Sequence, residues 1–207
     1  MPKHADASKW SVDRFLAASR LRRGGVIAYH SALELLGCAY ADGHEVQVIA
    51  PGAPGLLETR DFSCRFIKPP RGLTPLDGVM VVDRLGLSVS VTTIERTIAD
   101  LFDRHDLAGG SEELFNSLDL IARVDAAILV RHVRTFGNAA AAGAVGYWLE
   151  REKERLGVPD DVLKDLRTLA PTQVRYALGT RPGEGRAVRN WNVILPTEIL
   201  ERRFEGL

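Results

Sequence analysis

The feature that most restricts the fold is a change of texture at Thr92. Before it, the chain runs in short β-branched segments bounded by Pro and Gly: "EVQVIAPG", "FSCRFIKPP", "GVMVVDR" and "LSVSVTT". Branching at Cβ favours extended backbone, and Pro and Gly end each run. From Thr92 onward apolar residues recur at helical spacing instead. In "TTIERTIADLFDR", Ile94, Ile98, Leu101 and Phe102 stand at i, i+4, i+7 and i+8. Strands followed by helices predict an α+β fold: a small antiparallel β-rich half with one face buried, a helical middle, and a C-terminal β-hairpin with a terminal helix.

Local signals set most of the helix ends. "SVDRFLAASR" places Val12, Phe15, Leu16 and Ser19 on one face, with Ser11 as N-cap. A short strand, "GVIA", leads into "YHSALELLG", where Ser31 and Glu34 have the spacing of a capping box and Gly37 ends the helix. Thr92 and Glu95 offer a second capping box. "GGSEELFNSLDLIA" is a helix, Asp125 caps "DAAILVRHVRTFG" with Gly137 at its end, and Asn138 starts a long helix stopped by Gly157. Pro159 lies near the first turn of "PDDVLKDLRTLA". "TQVRYALGTRPGEGRAVRNWNVILP" reads as a hairpin turning at "TRPGEG", followed by the helix "TEILERRF". The alanine tract at 139–142 implies close packing on a neighbour, and Trp148 and Trp191 are expected in the core.

A chain of 207 residues, 45% of them hydrophobic, can bury a real core without staples. Cys38 and Cys64 are the only cysteines and show no zinc-ligand spacing, so neither a disulfide framework nor a metal cluster is expected. No apolar run reaches the length of a membrane helix and no signal-peptide core is present, which predicts a cytoplasmic protein with no membrane partner. Acidic and basic residues balance at 27 each, removing the net field with which non-specific nucleic-acid binders gather phosphates. Arg20, Arg22 and Arg23 form a local basic patch, read here as a solvated helix end.

Adjacent His30 and Ser31 raise the question of a nucleophile pair, but neighbouring residues on a helix point about 100° apart, and "YHSAL" is not a nucleophile elbow. Neither G-x-G-x-x-G nor a P-loop is present. Gly109, Gly110 and Ser111 precede a helix and are candidates for phosphate binding, although Glu112 and Glu113 already occupy that positive end. The usual protein-kinase motifs are missing, and "DRHD" at 103–106 is a chance echo. Asp100 and Asp103 are the catalytic candidates for holding Mg²⁺ in any phosphoryl transfer, and are otherwise expected to solvate the outer side of their helix. His44, His105 and His132 stand alone and read as surface or packing residues.

Five segments taken in order, "AYHSALELLG" (28–37), "VSVTTIERTIADLFDR" (89–104), "LAGGSEEL" (107–114), "NAAAAGAVGYWLE" (138–150) and "RNWNVILP" (189–196), resemble the AbiEi family of antitoxins. These belong to type IV abortive-infection toxin–antitoxin systems of bacteria. The resemblance divides the chain into an N-terminal helix and lead-in, 1–23, and an antitoxin effector domain, 24–207. It implies a cognate nucleotidyltransferase toxin as partner, and marks His30, Ser31, Glu34, Glu95, Arg96, Asp100, Trp191 and Asn192 as family-motif or partner-binding candidates. Many members carry an N-terminal winged helix-turn-helix that represses their own operon. Residues 1–23 are too few for that module, so DNA binding through it is not expected.

The resemblance thus implies neutralisation of the toxin, either by binding it or by causing phosphorylation of its active site. The alternatives are an atypical serine/threonine protein kinase acting on the toxin, with ATP and Mg²⁺ as cofactors, and a DNA-binding regulator of its own operon. No other cofactor and no metal site is expected.

Overall fold

The computed structural model describes residues 12–70, 72–74 and 77–202. Helix α1 (Arg14–Leu21) is followed by β1 (Val26–Ile27), α2 (Tyr29–Leu35), β2 (Glu45–Ile49), β3 (Gly55–Glu58), β4 (Ser63–Ile67), β5 (Val79–Arg84) and β6 (Leu87–Thr92). Then come α3 (Ile94–Asp103), α4 (Ser111–Asp119), α5 (Ala126–Phe136), α6 (Ala139–Arg151), α7 (Lys153–Leu156) and α8 (Asp160–Leu169). The chain ends with β7 (Arg175–Tyr176), β8 (Arg186–Val188), β9 (Val193–Leu195) and α9 (Thr197–Glu201). This is the expected α+β arrangement.

The β-rich half is a mixed rather than antiparallel sheet, in the order β3-β4-β2-β1-β6-β5. β2 pairs with β4 in parallel and so does β1 with β6, while the remaining neighbours are antiparallel. β3, "GLLE", lies outside the β-branched runs of the sequence: it has no β-branched residue and all four of its residues are exposed. The expectation of one buried face also fails at β2. Val46, Val48 and Ala50 lie in an apolar cluster with Phe15 and Ala18 of α1, whereas Ile49 belongs to the helical core. With helices on both sides, a central strand loses its polar alternation.

Several caps are displaced from their expected residues. Asp13 caps α1 by accepting from Leu16 N, and Ser11 lies outside the described residues; Val12 precedes the helix and is exposed. Thr93, not Thr92, caps α3, because the Thr92 hydroxyl is engaged with Thr97 and Glu95 accepts from Asp125 N. Asp125 and Asn138 cap α5 and α6 as expected. Gly37, Gly137 and Gly157 carry φ of +74°, +67° and +62° where their helices stop. The long helix from Asn138 is interrupted at Glu152, giving α6 and α7.

The tail is a three-stranded sheet, β7-β9-β8, and not a hairpin across "TRPGEG". β9 lies between the other two, parallel to β7 and antiparallel to β8. The tight turn falls at Arg189–Trp191, ended by Asn192 in the left-handed region. Trp191 from this turn packs on α6, where a Cβ on Gly146 would approach its ring to 2.2 Å and one on Gly143 would meet Val193 at 2.6 Å. Trp191 and Trp148 are both buried, and the small residues of α6 provide the close packing their composition implied.

Candidate functional site

The resemblance-bearing segments 28–37 and 107–114 meet at one buried polar cluster. β1 passes directly into α2 through Tyr29, whose φ of +56° is a left-handed conformation seldom adopted by an aromatic residue. That turn places His30 on the first turn of α2. Its Nδ1 lies 3.2 Å from Glu34 Oε1 and its Nε2 3.0 Å from Glu113 Oε1. Glu34 is further paired with Arg14 of α1. Burial opposes charge on the imidazole, but the hydrogen bonds and charges of Glu34 and Glu113 outweigh it and raise the pKa above the ordinary histidine value. A protonated ring donates from both nitrogens, as two carboxylate partners require.

Like Arg14, Glu113 belongs to this cluster without standing among the candidate site residues of the sequence. Besides His30, its Oε1 accepts from Ala41 N and Ser117 Oγ, while Ser117 Oγ itself accepts from Tyr40 N. Glu113 therefore ties the loop after α2 to α4. Its position in the first turn of α4 was the available signal, since a carboxylate is favoured there. Nothing local could name the histidine it meets.

Ser31 is no N-cap. Ala28 occupies that position, with no side-chain capping bond. The Ser31 hydroxyl donates to Glu45 O at 3.1 Å and accepts from Gln47 N at 3.0 Å, fastening α2 to β2, and Glu34 is taken by Arg14 and His30. The His30 and Ser31 side chains thus serve different partners and do not form a nucleophile pair.

Beside His30 is a cavity of about 320 Å³, lined by the 41–45 loop, Gln47 of β2, Gly109 and Glu113. His44 is also on its wall. Gln47 is 7% exposed; its Nε2 donates to Leu107 O at 3.0 Å, but its Oε1 is buried without a hydrogen-bond partner. Such an atom costs about 1–3 kcal/mol, so it marks a position where a donor is wanted.

A second polar centre lies inside α3. Arg96 and Asp100 are both about 1% exposed, and Arg96 Nε sits 2.9 Å from each Asp100 carboxylate oxygen. Arg96 also donates to Asp77 O at 2.6 Å. Burial pushes the Asp100 carboxyl well above its ordinary value, and the guanidinium opposes that rise. Asp100 therefore does not solvate the outer side of α3: every residue from Arg96 to Phe102 is buried, because α2, α5 and α6 all pack on this helix. Asp103 accepts from Asn138 Nδ2 at 2.9 Å.

The remaining candidates are dispersed. Glu95 holds Asp125 N, Trp191 Nε1 donates to Glu150 at 2.8 Å, and Asn192 Nδ2 donates to Pro171 O at 2.8 Å. Gly109 and Gly110 have positive φ ahead of α4, but Ser111 Oγ points to Glu198 and the first turn carries Glu112 and Glu113, so carboxylates surround the suggested phosphate position. Arg20 donates to Ser88 O, while Arg22 donates to Ala53 O and lies 3.8 Å over the Phe66 ring, which commits two cations of the basic patch to the sheet. His105 packs against Gly179, and His132 against Gly78.

No group of three or more His, Cys, Asp or Glu side chains among the described residues is arranged so that it could hold a metal ion, and none of their helices is long and apolar enough to cross a membrane. No family model matches the chain, and no curated protein matches it either.

Proposed function

We propose that this chain is the antitoxin of a bacterial toxin–antitoxin pair and neutralises a nucleotidyltransferase toxin by binding it. The reading starts from the five AbiEi-like segments in family order. It is supported by how those segments interlock: His30 with Glu113, Asp103 with Asn138, and Glu150 with Trp191. They build one framework from parts far apart in sequence.

The observation that favours binding over kinase activity is the state of the two aspartates that phosphoryl transfer would draw on. Both Asp100 oxygens are engaged by Arg96 inside the core, and Asp103 is engaged by Asn138. A group that holds ATP-bound Mg²⁺ must reach a cleft, and Asp100 does not.

The test begins with the neighbouring gene: where it encodes a nucleotidyltransferase, the two proteins are co-expressed. Growth should be rescued, the two proteins should co-purify, and the toxin's mass should be unchanged. Rescue accompanied by the mass of a phosphate on the toxin, appearing only with this chain and ATP, would replace binding by the kinase reading. Failure to rescue, with no complex, would remove the antitoxin reading.

A further inference from the structure

The cavity beside His30 collects acceptors and negative charge. Asp42, Glu45 and Glu113 line it, Glu34 stands behind His30, and the cations that pair with these carboxylates among the described residues are Arg14, Arg65 and His30. One negative charge is left over even with His30 protonated. The Asp42 side chain is 93% exposed at the mouth, and Gln47 Oε1 is an amide acceptor without a donor in the wall. Among the described residues, no hydrogen bond falls on Glu113 Oε2 either. A Cβ on Gly43, in the cavity wall, would stand 3.3 Å from Glu34 Oε1 and 3.6 Å from His30 Nδ1 and crowd that pair.

At about 320 Å³ the cavity lies at the lower end of the roughly 300–1,000 Å³ range of ligand sites, a size for one side-chain head group rather than a nucleotide. Tyr40, 65% exposed, stands in the same loop, with its backbone held by Ser117. An exposed aromatic on an anchored backbone beside a charged recess is the composition of a protein-contact hot spot.

We infer that this cavity receives the guanidinium of an arginine from a protein partner, with Gln47 Oε1, Glu113 and Asp42 as its acceptors. The planar fork of arginine supplies donors to several oxygens at once, which an ammonium on a flexible stem does with less geometric match. The partner's identity rests on the antitoxin reading. An enzyme that handles nucleoside triphosphate presents cationic side chains to the phosphates, and an arginine drawn into this cavity is withheld from that task.

The chain alone, with ¹⁵N-labelled histidine, is titrated with N-acetyl-arginine methylamide and, separately, with its neutral citrulline counterpart. The arginine probe should shift the His30 imidazole resonances saturably, with the citrulline probe at least about tenfold weaker. No saturable response, or equal responses to both probes, overturns the inference. Asp42→Asn changes only an exposed carboxylate and should weaken the arginine probe by about two- to fivefold. Gln47→Met, verified as folded by its amide spectrum, should weaken it by about tenfold. A folded Gln47→Met and an Asp42→Asn that both bind as tightly as the parent overturn it as well.

The two readings separate in a toxin-binding assay. Arginine-probe binding without a toxin complex leaves the cavity standing and removes the antitoxin partner. A toxin complex unaffected by either substitution removes this inference and leaves the antitoxin reading in place.

Discussion

His30 Nε2 lies 3.0 Å from Glu113 Oε1, joining the first turn of α2 to the first turn of α4. With Glu34 on its other nitrogen, the imidazole is held between two carboxylates, and its raised pKa links the stability of this junction to pH. The unfolded reference is about 6.5. The folded value is higher, so the stabilisation is fully present below pH 6.5 and is lost as pH rises through the folded pKa. Urea unfolding of the parent and His30→Gln across pH 5 to 9 should show the parent's advantage shrinking over that upper range. An imidazole that titrates below 6.5 by NMR would contradict the assigned bonds.

The Arg96–Asp100 pair makes a different kind of prediction. Removing one member leaves the other charged and buried, so Asp100→Ala should cost about 3–5 kcal/mol. The double change Arg96→Met with Asp100→Leu removes both charges and fills the volume, and should cost much less than the two single changes added together. Equilibrium denaturation of the three variants measures this. Strict additivity would mean that the two groups act independently.

Gly146→Ala sets helix propensity against packing. In an open helix the change would stabilise by about 1 kcal/mol. Here the new Cβ meets the Trp191 ring at 2.2 Å, and overpacking of about 1–3 kcal/mol decides the sign. A lowered urea midpoint with an altered near-UV tryptophan signal is expected; a raised midpoint would show that the Trp191 turn yields at little cost.

Burial pushes both thiols up, Cys64 to about 11. Cys64 is fully buried on β4, while Cys38 is partly exposed after α2. Alkylation of the native protein at pH 8 followed by mass mapping should modify Cys38 first and leave Cys64 unmodified until denaturant is added. Modification of Cys64 at the rate of a free thiol would mean that β4 opens readily.

Ser31 shows how far a local pattern reaches. Ser31-x-x-Glu34 has the capping-box spacing, yet both side chains are claimed by residues distant in sequence: Glu45 and Gln47 on one side, Arg14 on the other. At Asp125 and Asn138 the same kind of signal holds, because each cap bonds its own helix three residues on and needs nothing else. Asp100 is the intermediate case. Its i,i+4 spacing from Arg96 made the pairing available to the sequence, but its burial depends on α5 and α6 closing over α3.

The sequence by itself determined the α+β class, the amphipathic helices, their glycine stops and the burial of both core tryptophans, since hydrophobic period and backbone conformation act within a turn or two of the chain. Only the tertiary structure decided that β1 lies between β2 and β6, that the tail pairs β9 with both of its neighbours, and that Glu113 meets His30. Strand partners and buried ion pairs are chosen among many distant segments by which faces can be covered together, and no short window of residues contains that choice.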